Sequence, residues 1–275
     1  MDDPQLVLQQ RESLWLDGHP GLYTVADALS FMRDVRVALR YGAASNLPIA
    51  SMYRATQRQV PVAEDQKTAH ARAFELTNSM LASGTVVEIN LIADRLSLVH
   101  DGILAPIYAL RRRQREPNLS DAAQQAFEFI VANENATSGD IRRLLRSEGQ
   151  KRPDSADLAL AELQRELLVD RGPSAGQTTG VFYLTREGYP YRVFASSHSA
   201  IVSSASDVGR EEAAEQLLTS YLSAARFATR RNLTRLFQLL VSVEEIDRTI
   251  QILTASDHAR LSRVGKNEVI VYDDA

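Results

Sequence analysis

The chain has no cysteine among its 275 residues. That removes disulfide frameworks, thiolate nucleophiles and cysteine metal sites together. The five histidines, His19, His70, His100, His198 and His258, are scattered, so no metal site and no cofactor is expected. No segment approaches the uninterrupted apolar run of roughly 20 residues that spans a bilayer. The start, MDDPQLVLQQRE, lacks the basic end and apolar core of a signal peptide, so no membrane association and a cytoplasmic address are expected. There is no excess of positive charge: the net charge is -4 and the pI about 5.8. Coating nucleic acid by bulk charge is thereby excluded, and any such site must be local. No Walker-type lysine loop, GxGxxG, HExxH or GxSxG occurs, which leaves the common nucleotide, protease and esterase chemistries without support.

What is present is ordinary globular material, 44% hydrophobic and 24% charged, long enough for two or three compact domains. TVADALSFM reads as a helix start capped by Thr24, VRVALRYG as a short extended piece, and LPIASMYRATQR as a short helix opened near Pro48. EDQKTAHARAFELTNSMLAS places Ala69, Ala73, Leu76, Met80 and Leu81 on one helical face, and Gly84 stops it. TVVEINLI and LSLV, separated by Ala93-Asp94-Arg95, predict an antiparallel hairpin. The charged stretch RRRQREPNLS, residues 111 to 120, suits a linker.

Beyond the linker, Ser120 caps DAAQQAFEFIVANE, Ser138 caps GDIRRLLRS, and Pro153-Asp154-Ser155 opens a third helix carrying Leu160, Leu163 and Leu167. A turn, Gly172 to Gly176, leads to the strand-prone run Val181 to Leu184. After a connector, YPYRVFASSHSAI, the same order returns: EEAAEQLLTSYLSAARF, RRNLTRLFQL, SVEEIDRTIQILTA, then a hairpin around Gly265-Lys266-Asn267. Three helices followed by a two-stranded hairpin is the winged-helix form of the helix-turn-helix. The expected fold class is mainly α with short β-hairpins (α+β), a tandem array of three winged-helix-like domains over residues 1–115, 116–195 and 196–275.

A winged helix commonly docks its third helix in the major groove. Here the third helices carry the wrong sign. From Asp154 to Leu167, Asp154, Asp157, Glu162 and Glu166 stand against Arg165; from Ser242 to Thr254, Glu244, Glu245 and Asp247 stand against Arg248. Acids in a first turn suit the helix dipole, but Glu162 and Glu166 lie beyond it. The basic residues sit elsewhere. Arg111, Arg112, Arg113 and Arg115 lie in the linker, Arg142, Arg143 and Arg146 on a second helix, and Arg226, Arg230, Arg231 and Arg235 near its later counterpart; Arg260, Arg263 and Lys266 mark the last wing. Arg142, Arg143, Arg146, Arg230, Arg231, Arg260, Arg263 and Lys266 are the candidates for a phosphate-tracking face; a solvated arginine surface is the bland alternative. Gln57 and Gln59, in TQRQ, could hold a water or a flipped nucleotide, or be two exposed polar residues at a helix end. His100-Asp101, Trp15 and Tyr189-Pro190-Tyr191 read as structural.

The stretches TVADALSFMRDV, LPIASMYRA, LASGTVVEINLIADRLSLVHDGILAPIYAL, LALAELQRELLV, VFYLTREGYP and RRNLTRLFQLL, spread over most of residues 20–275, resemble the AlkZ-like superfamily of bacterial tandem winged-helix proteins. That superfamily includes DNA glycosylases that unhook interstrand crosslinks and a shorter branch, which is the nearer match. The resemblance implies winged-helix domains around a DNA-sized concavity, the first third being a degenerate winged helix, and a link with DNA repair. The glycosylases carry a Gln-x-Gln motif that positions the attacking water; Gln57-Arg58-Gln59 matches it in letters, in a different local setting. Three readings stay open: a protein bound to duplex DNA through arginine-phosphate contacts, a glycosylase working through Gln57 and Gln59, and a protein-interaction or homodimerisation module that binds no DNA.

Overall fold

The computed structural model describes residues 4–12, 15, 22–41, 47–57, 66–112, 117–174, 188–264 and 267–273. After a leading helix, α1 (Pro4–Glu12), comes α2 (Val25–Val35), then β1 (Val37–Leu39), β2 (Ala50–Ser51), α3 (Met52–Gln57) and α4 (Gln66–Ser83). Thr24 and Asp27 close a reciprocal capping box on α2, whose Ala28, Phe31, Met32 and Val35 are buried. Such a cap contributes about 1 kcal/mol, and each large buried apolar side chain about 1.5–3 kcal/mol, so the buried face dominates. Gly84 ends α4 at φ +77, a conformation that glycine adopts without steric cost. The expected hairpin is β3 (Val86–Ile92) and β4 (Arg95–His100). Its turn is tighter than expected: Ala93 and Asp94 alone take positive φ, and Arg95 already pairs with Ile92. A short 3₁₀ turn, Asp101–Ile103, leads into α5 (Leu104–Arg112). Arg111 and Arg112, assigned from sequence to a linker, close this helix instead, because the apolar Leu104, Ile107 and Leu110 carry its period up to them.

The middle segment holds α6 (Asp121–Ala132), α7 (Ser138–Leu144), α8 (Ser155–Arg165), β5 (Val169–Arg171) and β6 (Tyr191–Val193). Ser120 caps α6 as expected, and within the expected opening Pro153-Asp154-Ser155 it is Asp154 that caps α8. The cap of α7 is Thr137, not Ser138: Asp140 lies three residues after Thr137, and its carboxylate accepts the Thr137 N–H at 2.8 Å. The expected strand Val181 to Leu184 lies outside the described residues. The strand paired with β5 is β6, antiparallel, Val169 opposite Val193, drawn from the stretch expected to be connector. The rest of that stretch folds as α9 (Phe194–Ser197) and the start of α10 (Ser199–Asp207). The last segment runs α11 (Arg210–Ala225), β7 (Phe227–Ala228), α12 (Arg230–Phe237), α13 (Val243–Ala255), β8 (Ala259–Val264) and β9 (Asn267–Tyr272).

One order of elements recurs three times, with the extra strand β2 in the first copy: helix, short extended residue or strand, helix, helix, strand, strand. In each repeat the first extended piece meets the last strand, as β1 with β4, Thr137 with Pro190, and β7 with β9. The junctions match atom for atom. The carbonyls of Arg36, Ala136 and Arg226 accept N–H groups from His100, Tyr191 and Tyr272 at 2.9, 2.8 and 2.8 Å. Each third helix is followed by a residue at positive φ, Gly84, Leu167 or Asp257, which turns the chain into the next strand.

Strands of the first two repeats form one six-stranded sheet, ordered β2-β1-β4-β3-β5-β6, joined where β3 pairs with β5 at Glu88 opposite Arg171. The third repeat keeps its own sheet, β7-β9-β8. The largest apolar cluster runs from β3 and β4 through α5 to α11, α12 and α13, so the first and third repeats share a core. No helix among the described residues is long and apolar enough to cross a membrane.

Candidate nucleic-acid interface

Most acids of the third helices are paired within the protein, although Glu244 stays exposed. On α8, Asp154 accepts the Arg142 Nε at 2.9 Å, and Asp157 takes the Arg142 Nη2. Glu162 accepts the Ser120 N–H at 2.8 Å and its hydroxyl at 2.7 Å, tying α8 to the start of α6. Arg165 donates twice to Asp94, at 2.9 and 2.7 Å, and Gln164 donates to the Glu88 carbonyl at 3.1 Å. These bonds hold α8 against β3 and its turn, so this helix is an internal strut. On α13, Glu245 accepts the Ser242 N–H at 2.7 Å and pairs with Arg210. Asp247 grips Arg230, and Arg248 meets Glu211. On α13 the arginines hold Glu245 and Asp247 ionised. The Arg210 hydrogen bond is the main cause that lowers the Glu245 pKa, and the Arg230 hydrogen bond does the same for Asp247. For Asp154 burial opposes ionisation, but the Asp157 N–H and the Arg142 guanidinium outweigh it and the pKa falls.

This pairing sorts the candidate arginines. Arg142 is 5% exposed and locked to α8, so it leaves the proposed phosphate face: an ion pair this buried is part of the helix-helix contact. Arg143 is exposed and paired with Asp140. Arg146 is exposed, in the left-handed turn after α7 at φ +51. Arg230 is exposed but bidentate on Asp247, and Arg260 meets Asp273 at 3.0 Å. Arg231 and Arg235 are exposed one turn apart on α12, opposite its buried Leu233, Leu236 and Phe237. Arg263 is exposed on β8; Lys266, Arg113 and Arg115 lie outside the described residues. The structure therefore brings Arg231, Arg235 and Arg263 into one repeat and leaves Arg143 and Arg146 on another. Arg111 donates to the carbonyls of Arg165 and Leu239, linking the ends of two helices, and burial lowers its pKa.

Gln57 is the last residue of α3, and Gln59 lies outside the described residues. His100 Nδ1 accepts the Gly102 N–H at 3.1 Å, so the ring caps the 3₁₀ turn. Desolvation lowers its pKa and favours the neutral ring that such a cap requires. A surface hollow of about 480 Å³ beside α7 is lined by Arg142, Arg143 and Arg152 but also by Asp154 and Glu148; its mixed charge favours neither sign of ligand. Among the described residues no group of three or more His, Asp or Glu side chains is placed to hold a metal ion.

A buried ionic cluster at the seam between the first two repeats was not anticipated. Glu88, fully buried, lies 2.9 Å from the Arg40 Nε and accepts Arg40 Nη2 at 3.0 Å and Arg171 Nε at 2.5 Å. Arg40 also donates to the Tyr189 hydroxyl at 2.6 Å. Burial works against the Arg171 charge, yet Glu88 outweighs it and the guanidinium pKa is raised. Beside it, buried Asp170 meets Arg192, with the His198 Nε2 at 3.3 Å. The available signal was Glu88 itself, an acid inside the apolar run VVEINLI.

The solved structure of Streptomyces sahachiroi DNA glycosylase AlkZ is similar to this chain with a TM-score of 0.55 at 15% sequence identity, over 96% of this chain and 69% of that one. The likeness is one of fold. No protein-family model and no curated protein matches the chain.

Proposed function

We propose that the chain is a DNA-associated protein of three winged-helix units, residues 1–115, 116–195 and 196–275, that serves DNA repair and holds duplex DNA by arginine-phosphate contacts. One observation carries the reading. Once the third-helix acids have taken Arg142 and Arg230, the candidate arginines that stay exposed and show no ion pair among the described residues are Arg146, Arg231, Arg235 and Arg263, on a fold similar to that of a DNA glycosylase. Because α8 is packed against β3, contact falls to the second helix and the hairpin, which read phosphate spacing and duplex shape rather than base edges.

The test is affinity for duplex DNA as a function of salt. Four phosphate contacts give a slope of log K against log salt of about -3.6. No binding at about 50 mM salt, or a slope near zero, would overturn the proposal. A second reading, a protein-binding module, is favoured by Val131, Leu144 and Leu158, large apolar side chains left exposed on α6, α7 and α8. Concentration-dependent self-association abolished by Leu158→Ser would support it.

A further inference from the structure

On the first repeat, three ring side chains meet at the surface. Tyr41 follows β1, Tyr53 lies in the first turn of α3, and His70 lies in α4. The Tyr53 and His70 ring centroids are 4.0 Å apart, and those of Tyr41 and His70 are 5.7 Å apart, each pair tilted by 35°. Their support is rigid. The Tyr53 N–H bonds to the Arg40 carbonyl at 3.1 Å, Thr56 donates back to the Met52 carbonyl at 3.0 Å, and Met52, Ala55 and Thr56 are buried beneath. Tyr41 is nonetheless 43% exposed, whereas Tyr189, Tyr191 and Tyr221 are all within the core. A large ring held beside two others but left uncovered is placed to accept a further flat group.

The charge around it selects that group. Exposed Arg54 neighbours Tyr53, α3 carries no acid, and Gln57 follows Tyr53 by one helical turn. A flat aromatic ligand attached to an anion fits this surface. We infer that Tyr41, Tyr53 and His70 form a stacking platform for one unpaired base of a distorted DNA duplex, with Arg54 on the adjoining phosphate. The inference rests on the DNA-binding reading above and gives it a preference for distorted duplex. Stacking on aromatic side chains tolerates any base, because each presents a π-face.

The experiment measures fluorescence anisotropy of two labelled duplexes, one fully paired and one with a single bulged base, against the full-length chain at one salt concentration. The wild type is expected to bind the bulged duplex roughly tenfold more tightly. Tyr41→Ala is expected to remove most of that preference while leaving the paired duplex unchanged, and Tyr41→Phe, which keeps the ring, to retain it. Equal affinity for both duplexes in the wild type overturns the platform while the DNA-binding reading stands. A preference that survives Tyr41→Ala, checked also in Tyr53→Ala, overturns it too. Binding of neither duplex sinks both readings together.

Discussion

Replacing Glu88 with glutamine removes one charge and almost no volume, and it strikes the register pair that joins β3 to β5 among the described residues, Glu88 opposite Arg171. The carboxylate is fully buried and sits between the guanidiniums of Arg40 and Arg171, with Arg40 only 3% exposed. Its loss leaves two cations facing each other without a counter-charge. Breaking a buried ion pair by removing one partner costs about 3–5 kcal/mol. For a chain of this size 1 kcal/mol moves the melting temperature by about 2–4 °C, so Glu88→Gln is expected to lower it by roughly 6–20 °C. Thermal unfolding followed by circular dichroism reads this directly. Because the damage lies at the seam between repeats, the transition is also expected to broaden as the repeats uncouple. A double-mutant cycle supplies the control: Glu88→Gln with Arg171→Met should cost clearly less than the sum of the two single variants, since the second change removes one stranded cation. A loss under about 2 °C, or strict additivity, would refute the claim that this cluster holds the two repeats together.

Three further outcomes follow from the arginine pairings. Arg231→Gln, Arg235→Gln and Arg263→Gln are each expected to reduce the salt slope of DNA binding by about 0.9 with little change in melting temperature, whereas Arg142→Gln should lower the melting temperature and leave the slope alone; the reverse pattern in titrations and melts would contradict the sorting. Asp247→Asn releases exposed Arg230 and is expected to tighten duplex binding at low salt, an effect that should vanish when Arg230→Gln is added. The depressed carboxylates Asp154, Asp247 and Glu245 contribute stability that is fully present above their unfolded values, 3.8 for aspartate and 4.5 for glutamate. It is lost as pH falls through their lower native values. Urea midpoints should therefore hold steady down to about pH 5 and drop below it, and a midpoint independent of pH down to about pH 3 would contradict the pairings.

The helices were legible because their signals are local: Thr24, Ser120, Asp154 and Ser242 each stand where the apolar period begins. The Ser138 assignment failed by one residue although its correction was visible, since Asp140 completes a box with Thr137 and not with Ser138. Strand β6 was hidden for a different reason. Tyr191–Val193 is three residues long, too short for alternation to show, and it is defined by partners on β5 that no local pattern names. Non-local pairing also hid the interface. Nothing in GDIRRLLRS tells which arginine will be buried; the answer depends on Asp154 and Asp157 folding back from the following helix.

That dependence answers the objection that the acidic third helices raise against the DNA-binding proposal. Counted along the chain, acids and arginines seem to belong to opposing surfaces, one repelling phosphate and one attracting it. In the fold most of them meet. Arg142 lies on the second helix of its repeat and meets Asp154 and Asp157 at the start of the third. Arg230 lies on the second helix of the last repeat and meets Asp247 at the start of its third. A second-helix arginine thus meets a third-helix acid in two repeats, buried in the middle one and exposed in the last. Net charge is then the wrong quantity for judging the surface. On the DNA-binding proposal, the candidate arginines that set the field a duplex would meet are Arg146, Arg231, Arg235 and Arg263, which are exposed and show no ion pair among the described residues.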